Sequence, residues 1–327
     1  MVTRASSPLP NTTSPITPHT SGARALSKVA FLFPGQGAQT VGMGQQLAAE
    51  VPAAKALMDQ ACEILGYDLA KICYEGPQEE LNATVHSQPA LFVTSLMAVE
   101  ALRAKSPEVV DSAAVAAGLS LGEYTALVFA GAMTFEDGLR LVQVRATGMQ
   151  AAADAVESGM VSILGLEREQ VESLVDQARG EDVLQVANLL GPGNIAVSGH
   201  LSACARVTEA AEAAGAMKVV PLAVAGAFHT PLMQPAVEKL AAAVAEVPMA
   251  EARIPVVMNV DGSEHTSADE IRELLVLQVV SPVLWEATQR HLLSGDYEQF
   301  YELGAGRVLR GLLRRIERKV NCENVSA

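Results

Sequence analysis

Ala113-Ala114-Val115-Ala116-Ala117-Gly118-Leu119-Ser120-Leu121-Gly122-Glu123-Tyr124-Thr125-Ala126 decides how this chain is read. A run of small apolar residues suits a strand buried on both faces. It enters Gly118-Leu119-Ser120-Leu121-Gly122, a G-x-S-x-G turn, and a helix opens at Glu123. Strand, sharp turn and helix in that order form the setting of a nucleophile elbow. The glycines allow the turn without Cβ clashes, so the Ser120 hydroxyl stands exposed on top of a sheet. The helix N-terminus behind it favours developing negative charge. The Leu121 N–H then points where an oxyanion would form.

Upstream, Val29-Ala30-Phe31-Leu32-Phe33 is a second apolar run, again expected as a strand buried on both faces. It stops at Pro34-Gly35-Gln36-Gly37-Ala38-Gln39, a turn that leads into a helix over residues 43–50. Such a loop gathers free backbone N–H groups, as an oxyanion or a phosphate requires. No Gly-Lys-Ser/Thr follows and G-x-G-x-x-G is incomplete, so it is not a phosphate loop. An oxyanion-stabilising loop and an ordinary tight turn both fit these residues.

A serine nucleophile needs a base, normally histidine. Of the six histidines, His229 follows the apolar segment 219–228 and precedes Thr230-Pro231-Leu232-Met233. That sets an imidazole in a strand-to-helix loop bordered by small residues, although a satisfied loop histidine is also compatible. The hydrolase order of Ser, acid and His is not met, because the nearest strand-end acid, Asp261, lies beyond His229. A backbone carbonyl is the alternative means of orienting the ring.

The chain has 327 residues, about two domains' worth, with a net charge of −14 and half its residues apolar. This composition suits a well-cored soluble protein and excludes a disordered one. No apolar run approaches the ~20 residues of a transmembrane helix. Acidity with few aromatic residues argues against nucleic acid, and no membrane association is expected. Cys62, Cys73, Cys204 and Cys322 form no C-x-x-C pair, so neither a disulfide framework nor a zinc site is expected. Residues 1–27 are rich in Ser, Thr and Pro, and no acid precedes Glu50. They read as an organelle transit peptide or a disordered leader.

From 160 to 222 the expected order is strand 160–164, helix 167–177, strand 183–189, strand 194–198, helix 201–214 and strand 217–222. This βαββαβ series is the ferredoxin-like, split βαβ pattern. Residues 153–222 therefore read as a ferredoxin-like subdomain inserted into an α/β-hydrolase-like core with a parallel sheet, formed by 28–152 and 223–327. The active site is expected in the cleft between them. Asn188, at a strand end, is placed facing that cleft; a turn-side amide is the plainer alternative. Near the C-terminus, Arg307, Arg310, Arg314, Arg315, Arg318 and Lys319 oppose Glu317 alone.

Phe33-Pro34-Gly35-Gln36-Gly37-Ala38-Gln39, Gly118-Leu119-Ser120-Leu121-Gly122-Glu123, Val144-Arg145 and Gly226-Ala227-Phe228-His229-Thr230 occur in fixed order. Ser281-Pro282-Val283-Leu284-Trp285 and Glu302-Leu303-Gly304-Ala305-Gly306 complete the series. From residue 28 to the C-terminus, the chain resembles the malonyl-CoA:acyl carrier protein transacylases of bacterial and plastid fatty acid synthesis. The resemblance implies Ser120 as acyl-accepting nucleophile and His229 as base. It also implies an oxyanion hole from the Gln36 and Leu121 amides, with the Gln278 carbonyl orienting His229.

Arg145 matches the arginine that grips the malonyl carboxylate. A guanidinium can do this with two parallel bonds, which lysine cannot copy. Helical spacing alone does not choose between Arg140 and Arg145. Phe228, immediately before the histidine, implies malonyl rather than methylmalonyl. Leu119 departs from the histidine that many members carry before the nucleophile. The partners implied are malonyl-CoA and acyl carrier protein. Because that carrier is acidic, Arg310, Arg314 and Arg315 are candidates for docking it. No metal or redox cofactor is implied, and a monomer is expected. The expected location is the plastid stroma after leader removal, or the cytoplasm for a bacterial source. A serine esterase or thioesterase, and a non-catalytic acyl-binding subunit, are the competing readings.

Overall fold

The computed structural model describes residue 1 and residues 28–327; the leader expectation lies outside the described residues. The strands are β1 (Val29–Phe33), β2 (Ala113–Gly118), β3 (Ser158–Leu164), β4 (Leu184–Gly191) and β5 (Asn194–His200). β6 (Lys218–Pro221), β7 (Val256–Val257), β8 (Glu264–His265), β9 (Gln299–Gly304) and β10 (Cys322–Ser326) follow. They form a sheet of order β10-β9-β1-β2-β7-β8 and another of order β4-β5-β3-β6. The larger sheet is parallel except for the antiparallel β7–β8 pair. The smaller is antiparallel throughout.

The two-residue period of a strand explains the layers. Along β1, Ala30 and Leu32 join Val115 and Ala117 of β2 in a core with Trp285 and Leu309. Phe31 and Phe33 point the other way, into a core shared with Leu91, Phe92 and Tyr124. Both faces of these strands are thus buried, as continuous apolar runs require. The helix Thr84–Lys105, apolar on almost every side, crosses the second face and is buried along most of its length.

Residues 158–221 supply all of the smaller sheet, and the flanking stretches supply the larger. Its helices run Arg168–Arg179 and Leu201–Ala213, close to the expected bounds. β4 is tied to the loop at residue 283, just before the helix Trp285–Ser294. Leu189 N donates to Val283 O at 3.0 Å and Val283 N to Ala187 O at 2.8 Å. Asn188 therefore sits at the seam, and the bulges in the β4–β5 pairing around it re-aim the strand.

Candidate active site

The elbow forms because only glycine fits where β1, β2 and the next helix converge. A Cβ on Gly118 would come within 1.9 Å of the Gly122 carbonyl carbon, and one on Gly122 within 2.1 Å of Phe33 O. The Gln36 loop is equally close: a Cβ on Gly35 would lie 2.3 Å from Leu119 O. Ser120 is driven to φ 50° at the apex, and His229 takes φ 60°. They are the only non-glycine residues with positive φ among the described residues. Such backbone costs of order 1–3 kcal/mol and persists where the surroundings enforce it.

The enforcing group at Ser120 is Asn259, just beyond β7. Its Oδ1 accepts the Ser120 N–H at 2.6 Å, and its Nδ2 donates to Gly118 O at 2.8 Å. The helix Gly122–Phe129 starts at once, with the Gly122, Glu123 and Tyr124 amides closing turns onto residues 119–121. The Leu121 amide takes no part in those turns. His229 is held by Gln185, whose Nε2 donates to His229 O at 2.7 Å.

Ser120 Oγ lies 2.8 Å from His229 Nε2, and His229 Nδ1 lies 2.9 Å from Gln278 O. A carbonyl only accepts, so Nδ1 carries the proton and Nε2 keeps a lone pair for the serine hydroxyl. Burial, reinforced by the nearby Arg145 cation, lowers the imidazole pKa from 6.5 to about 4. The ring is neutral at physiological pH and competent as a base. No carboxylate completes a triad: Asp261 instead meets His265 Nε2 at 2.8 Å and Ser263 N at 3.0 Å. His86, His200, His265 and His291 each bind partners elsewhere.

Arg145, on the helix Phe135–Asp154, is buried, whereas Arg140 is exposed and paired with Glu136 at 2.9 Å. Arg145 Nη1 donates to Gln88 Oε1 at 2.7 Å, and Nη2 to Ser120 Oγ and Gln278 Oε1, both at 2.9 Å. The guanidinium lies over the Tyr124 ring, 5.4 Å from its centroid. Its Nε is buried with no hydrogen-bond partner. A buried cation held by neutral oxygens is ready for an anion. Burial lowers its pKa, against the raising pull of Tyr124 and Glu123.

The cavity over these groups has a volume of roughly 630 Å³, mouth included. Ser120, His229, Arg145, Gln36 and Leu121 line it, and so do Phe228 and Asn188. Met149, Met160, Leu190, Leu222 and Val224 make much of the remaining wall apolar. Gln278 stands behind His229 and Arg145, fully buried.

Sequence reasoning missed Gln88, Gln185, Asn259 and the carboxyl of Glu123. Asn259 follows the buried Val256-Val257-Met258 run, the same strand-end signal that drew attention to Asp261. Glu123 stood within the elbow motif. Its Oε2 accepts Asn259 N at 2.5 Å and its Oε1 accepts Gln278 Nε2 at 3.0 Å. Burial pushes this carboxyl up to about 8, against the lowering pull of the Asn259 amide, Arg145 and Gln278.

In the basic helix Val308–Ile316, Arg314 and Arg315 are exposed and Arg310 is half-buried. The main-chain amide of Arg310 donates to Glu302 Oε2 at 2.9 Å, and its side-chain Nε is buried without a partner. Among the described residues, no group of three or more His, Cys, Asp or Glu could hold a metal ion. None of their helices is long and apolar enough to cross a membrane.

The family model for the acyl transferase domain matches residues 30–323. The chain is 40% identical over 302 residues to a malonyl CoA-acyl carrier protein transacylase of Bacillus subtilis, covering 92% of this chain and 94% of the relative. A mitochondrial transacylase so named from Mus musculus is 41% identical over 301 residues, covering 88% and 79%. The solved malonyl CoA-acyl carrier protein transacylase of Coxiella burnetii superposes with a TM-score of 0.88 at 36% identity, covering 91% and 94%. A malonyl-transacylase solved in complex with its type II PKS acyl-carrier protein gives 0.86 at 36% identity, covering 92% and 96%.

Proposed function

The chain belongs to the acyl transferase domain family, and we propose on that footing that it transfers malonyl from malonyl-CoA to acyl carrier protein through an ester on Ser120. The observation that carries this reading is Arg145: a buried cation with neutral partners, 2.9 Å from Ser120 Oγ. It can hold the free carboxylate of a malonyl group while the other end reacts.

His229 Nε2 takes the Ser120 proton as Oγ attacks the thioester carbonyl. The Gln36 and Leu121 amides receive the developing oxyanion; a donor in such a hole contributes about 3 kcal/mol. The C–S bond breaks, the CoA sulfur leaves with the proton from His229, and malonyl remains on Ser120. The phosphopantetheine thiol of the carrier then gives its proton to His229 and attacks the ester. Thioester forms, and Ser120 recovers the proton. The chemistry is complete with side chains and amides, so no metal or redox cofactor is part of this reading.

Phe228 lines the cavity beside His229, which supports malonyl over branched homologues. Leu119 makes an apolar wall where a histidine could hydrogen-bond, and the base remains His229. The antiparallel order β4-β5-β3-β6 supports a ferredoxin-like subdomain within a hydrolase-like core. The acid-free leader supports an organelle address. Exposed Arg314 and Arg315 support carrier docking, since their helix packs through Leu309 and Leu312 into the cluster that includes the cavity residues Leu119 and Leu190.

Intact mass spectrometry tests the whole sequence. A malonyl adduct on Ser120 after malonyl-CoA, which then moves to added acyl carrier protein, is expected. Rapid loss of the adduct to water would make the protein a thioesterase. Unaltered transfer by Ser120→Ala would remove the nucleophile assignment.

A further inference from the structure

The transfer chemistry above gives the fully buried carboxyl of Glu123 no task. Yet both of its oxygens hold residues that grip reacting groups. Oε2 accepts the amide of Asn259, whose side chain clamps Ser120 N and Gly118 O. Oε1 accepts Nε2 of Gln278 at 3.0 Å. The Gln278 main-chain oxygen orients His229, and its Oε1 receives Arg145.

The two ends of a glutamine amide have the same shape, so packing alone does not choose which end faces Arg145. Charge and hydrogen bonding do. A turned-over Gln278 would set its NH₂ against the guanidinium, donor against donor. An acceptor on the opposite side prevents this, because it draws Nε2 to itself and leaves Oε1 for Arg145. The Gln278 NH₂ then also reaches Ser120 O at 2.9 Å, tying the elbow to the same residue.

We propose that Glu123 is a positioning residue: by accepting from Gln278 and Asn259 it fixes the amide that aligns Arg145 and the clamp that holds Ser120. This rests on the roles proposed above for Ser120, His229 and Arg145. Glu123 sets both the malonyl preference and the poise of the nucleophile, without touching substrate.

The test is full-length Glu123→Gln, assayed with malonyl-CoA and with acetyl-CoA, whose acyl group lacks the free carboxylate. The new amide nitrogen has no acceptor lone pair and must present a donor to either Asn259 N or Gln278 NH₂. Each carboxyl oxygen, with or without the proton that burial favours, keeps a lone pair for its donor. We expect kcat to fall by about 10²-fold, the cost of misplacing a site by an ångström or so. The malonyl-to-acetyl ratio of kcat/KM should fall with it, by about fivefold or more. A fluorophosphonate, which reports Ser120 without any acyl donor, should label more slowly. Wild-type kinetics in the variant overturn the proposal. So does an equal loss for both donors at unchanged KM, since a smaller folded fraction would do the same.

Gln278→Leu provides a second arm, because it keeps the main-chain carbonyl and removes only the side-chain link. It should lose malonyl preference too, and the double variant should lose no more than either alone. Unchanged preference, or fully multiplying losses, overturns the assignment. Wild-type enzyme run alongside separates the two readings: a malonyl adduct there, with E123Q behaving as wild type, sinks only the Glu123 role.

Discussion

Arg145 Nη2 and Gln278 Oε1 stand 2.9 Å apart, and the main-chain oxygen of the same Gln278 lies 2.9 Å from His229 Nδ1. One residue therefore ties the cation proposed to hold the acyl carboxylate to the base proposed to activate the nucleophile. Neither attachment uses a carboxylate. A charged partner on Arg145 would compete with the malonyl carboxylate, and one on His229 would raise its pKa. Neutral oxygens orient both groups and leave the cation uncommitted.

Arg145→Lys should therefore fail to restore what Arg145→Ala loses. Lysine keeps a charge but cannot span Gln88, Gln278 and a carboxylate with a planar fork. Removing one side of a buried charge pair costs about 2–5 kcal/mol, so malonyl-CoA kcat/KM should drop by roughly 10²-fold or more. Acetyl-CoA, with no carboxylate to lose, should be far less affected. Steady-state kinetics with the two donors checks this, and an equal loss for both would contradict it.

The pH dependence follows from His229, whose pKa falls from 6.5 to about 4. Above about 4 the folded ring is neutral and able to accept the serine proton. Acylation of Ser120 should thus show no inflection near 6.5, and should weaken only as pH falls toward 4. The same shift acts on stability. Between 6.5 and about 4 the unfolded chain binds the His229 proton and the folded one does not, so this residue costs stability as pH falls through that window. Glu123, raised from 4.5 to about 8, instead costs stability as pH rises from 4.5 to about 8. Melts should therefore be nearly flat from pH 5 to 6.5 and should weaken from 6.5 to 8. Stopped-flow acylation and urea melts between pH 5 and 8 measure the two effects separately. An acylation midpoint near 6.5 would contradict the first.

Gly122→Ala should disable the elbow although the change is one methyl group. The added Cβ would meet backbone, Phe33 O at 2.1 Å, which has no side-chain freedom to move away. Overpacking of this kind costs about 1–3 kcal/mol or more, and here it also displaces Ser120. The expected result is a lowered Tm together with loss of fluorophosphonate labelling. Gly311→Ala, on the surface helix with nothing near its Cβ, is the matched control and should do neither.

The legibility of this molecule divides along chemical lines. The apolar runs of β1 and β2 announced a doubly buried sheet, because continuous small and branched side chains have few other uses. G-x-S-x-G announced Ser120 because the glycines answer a backbone requirement that is local in sequence. Asn259 and Glu123 stayed hidden for the opposite reason. Their partners lie 139 and 136 residues away, and a buried amide or carboxyl looks no different in sequence from a solvated one. Arg145 was chosen over Arg140 by motif order alone, since burial within a helix five residues on cannot be read from spacing. Glu302 stayed hidden in the same way: it sits on β9, and its carboxyl accepts the Leu309 and Arg310 amides at the start of the basic helix.

Charge reversal at Arg314 and Arg315 should separate the two halves of the reaction. Both side chains are exposed at the end of Val308–Ile316, beside Arg318 and Lys319, with Glu317 the sole acid among them. Exposed pairs contribute only about 0.2–1 kcal/mol each, so Arg314→Glu/Arg315→Glu should raise the carrier-protein KM by roughly three- to tenfold. Contacts of this type act through the surface potential and fade beyond about 8 Å at physiological salt. The wild-type KM should accordingly rise with added salt, and the variant's should rise much less. Formation of malonyl-Ser120 from malonyl-CoA should be unchanged, because neither arginine lines the cavity. Measuring adduct formation and carrier transfer in the same preparation, from low to high salt, decides the matter: unaltered carrier KM and salt slope would clear this helix of any docking role.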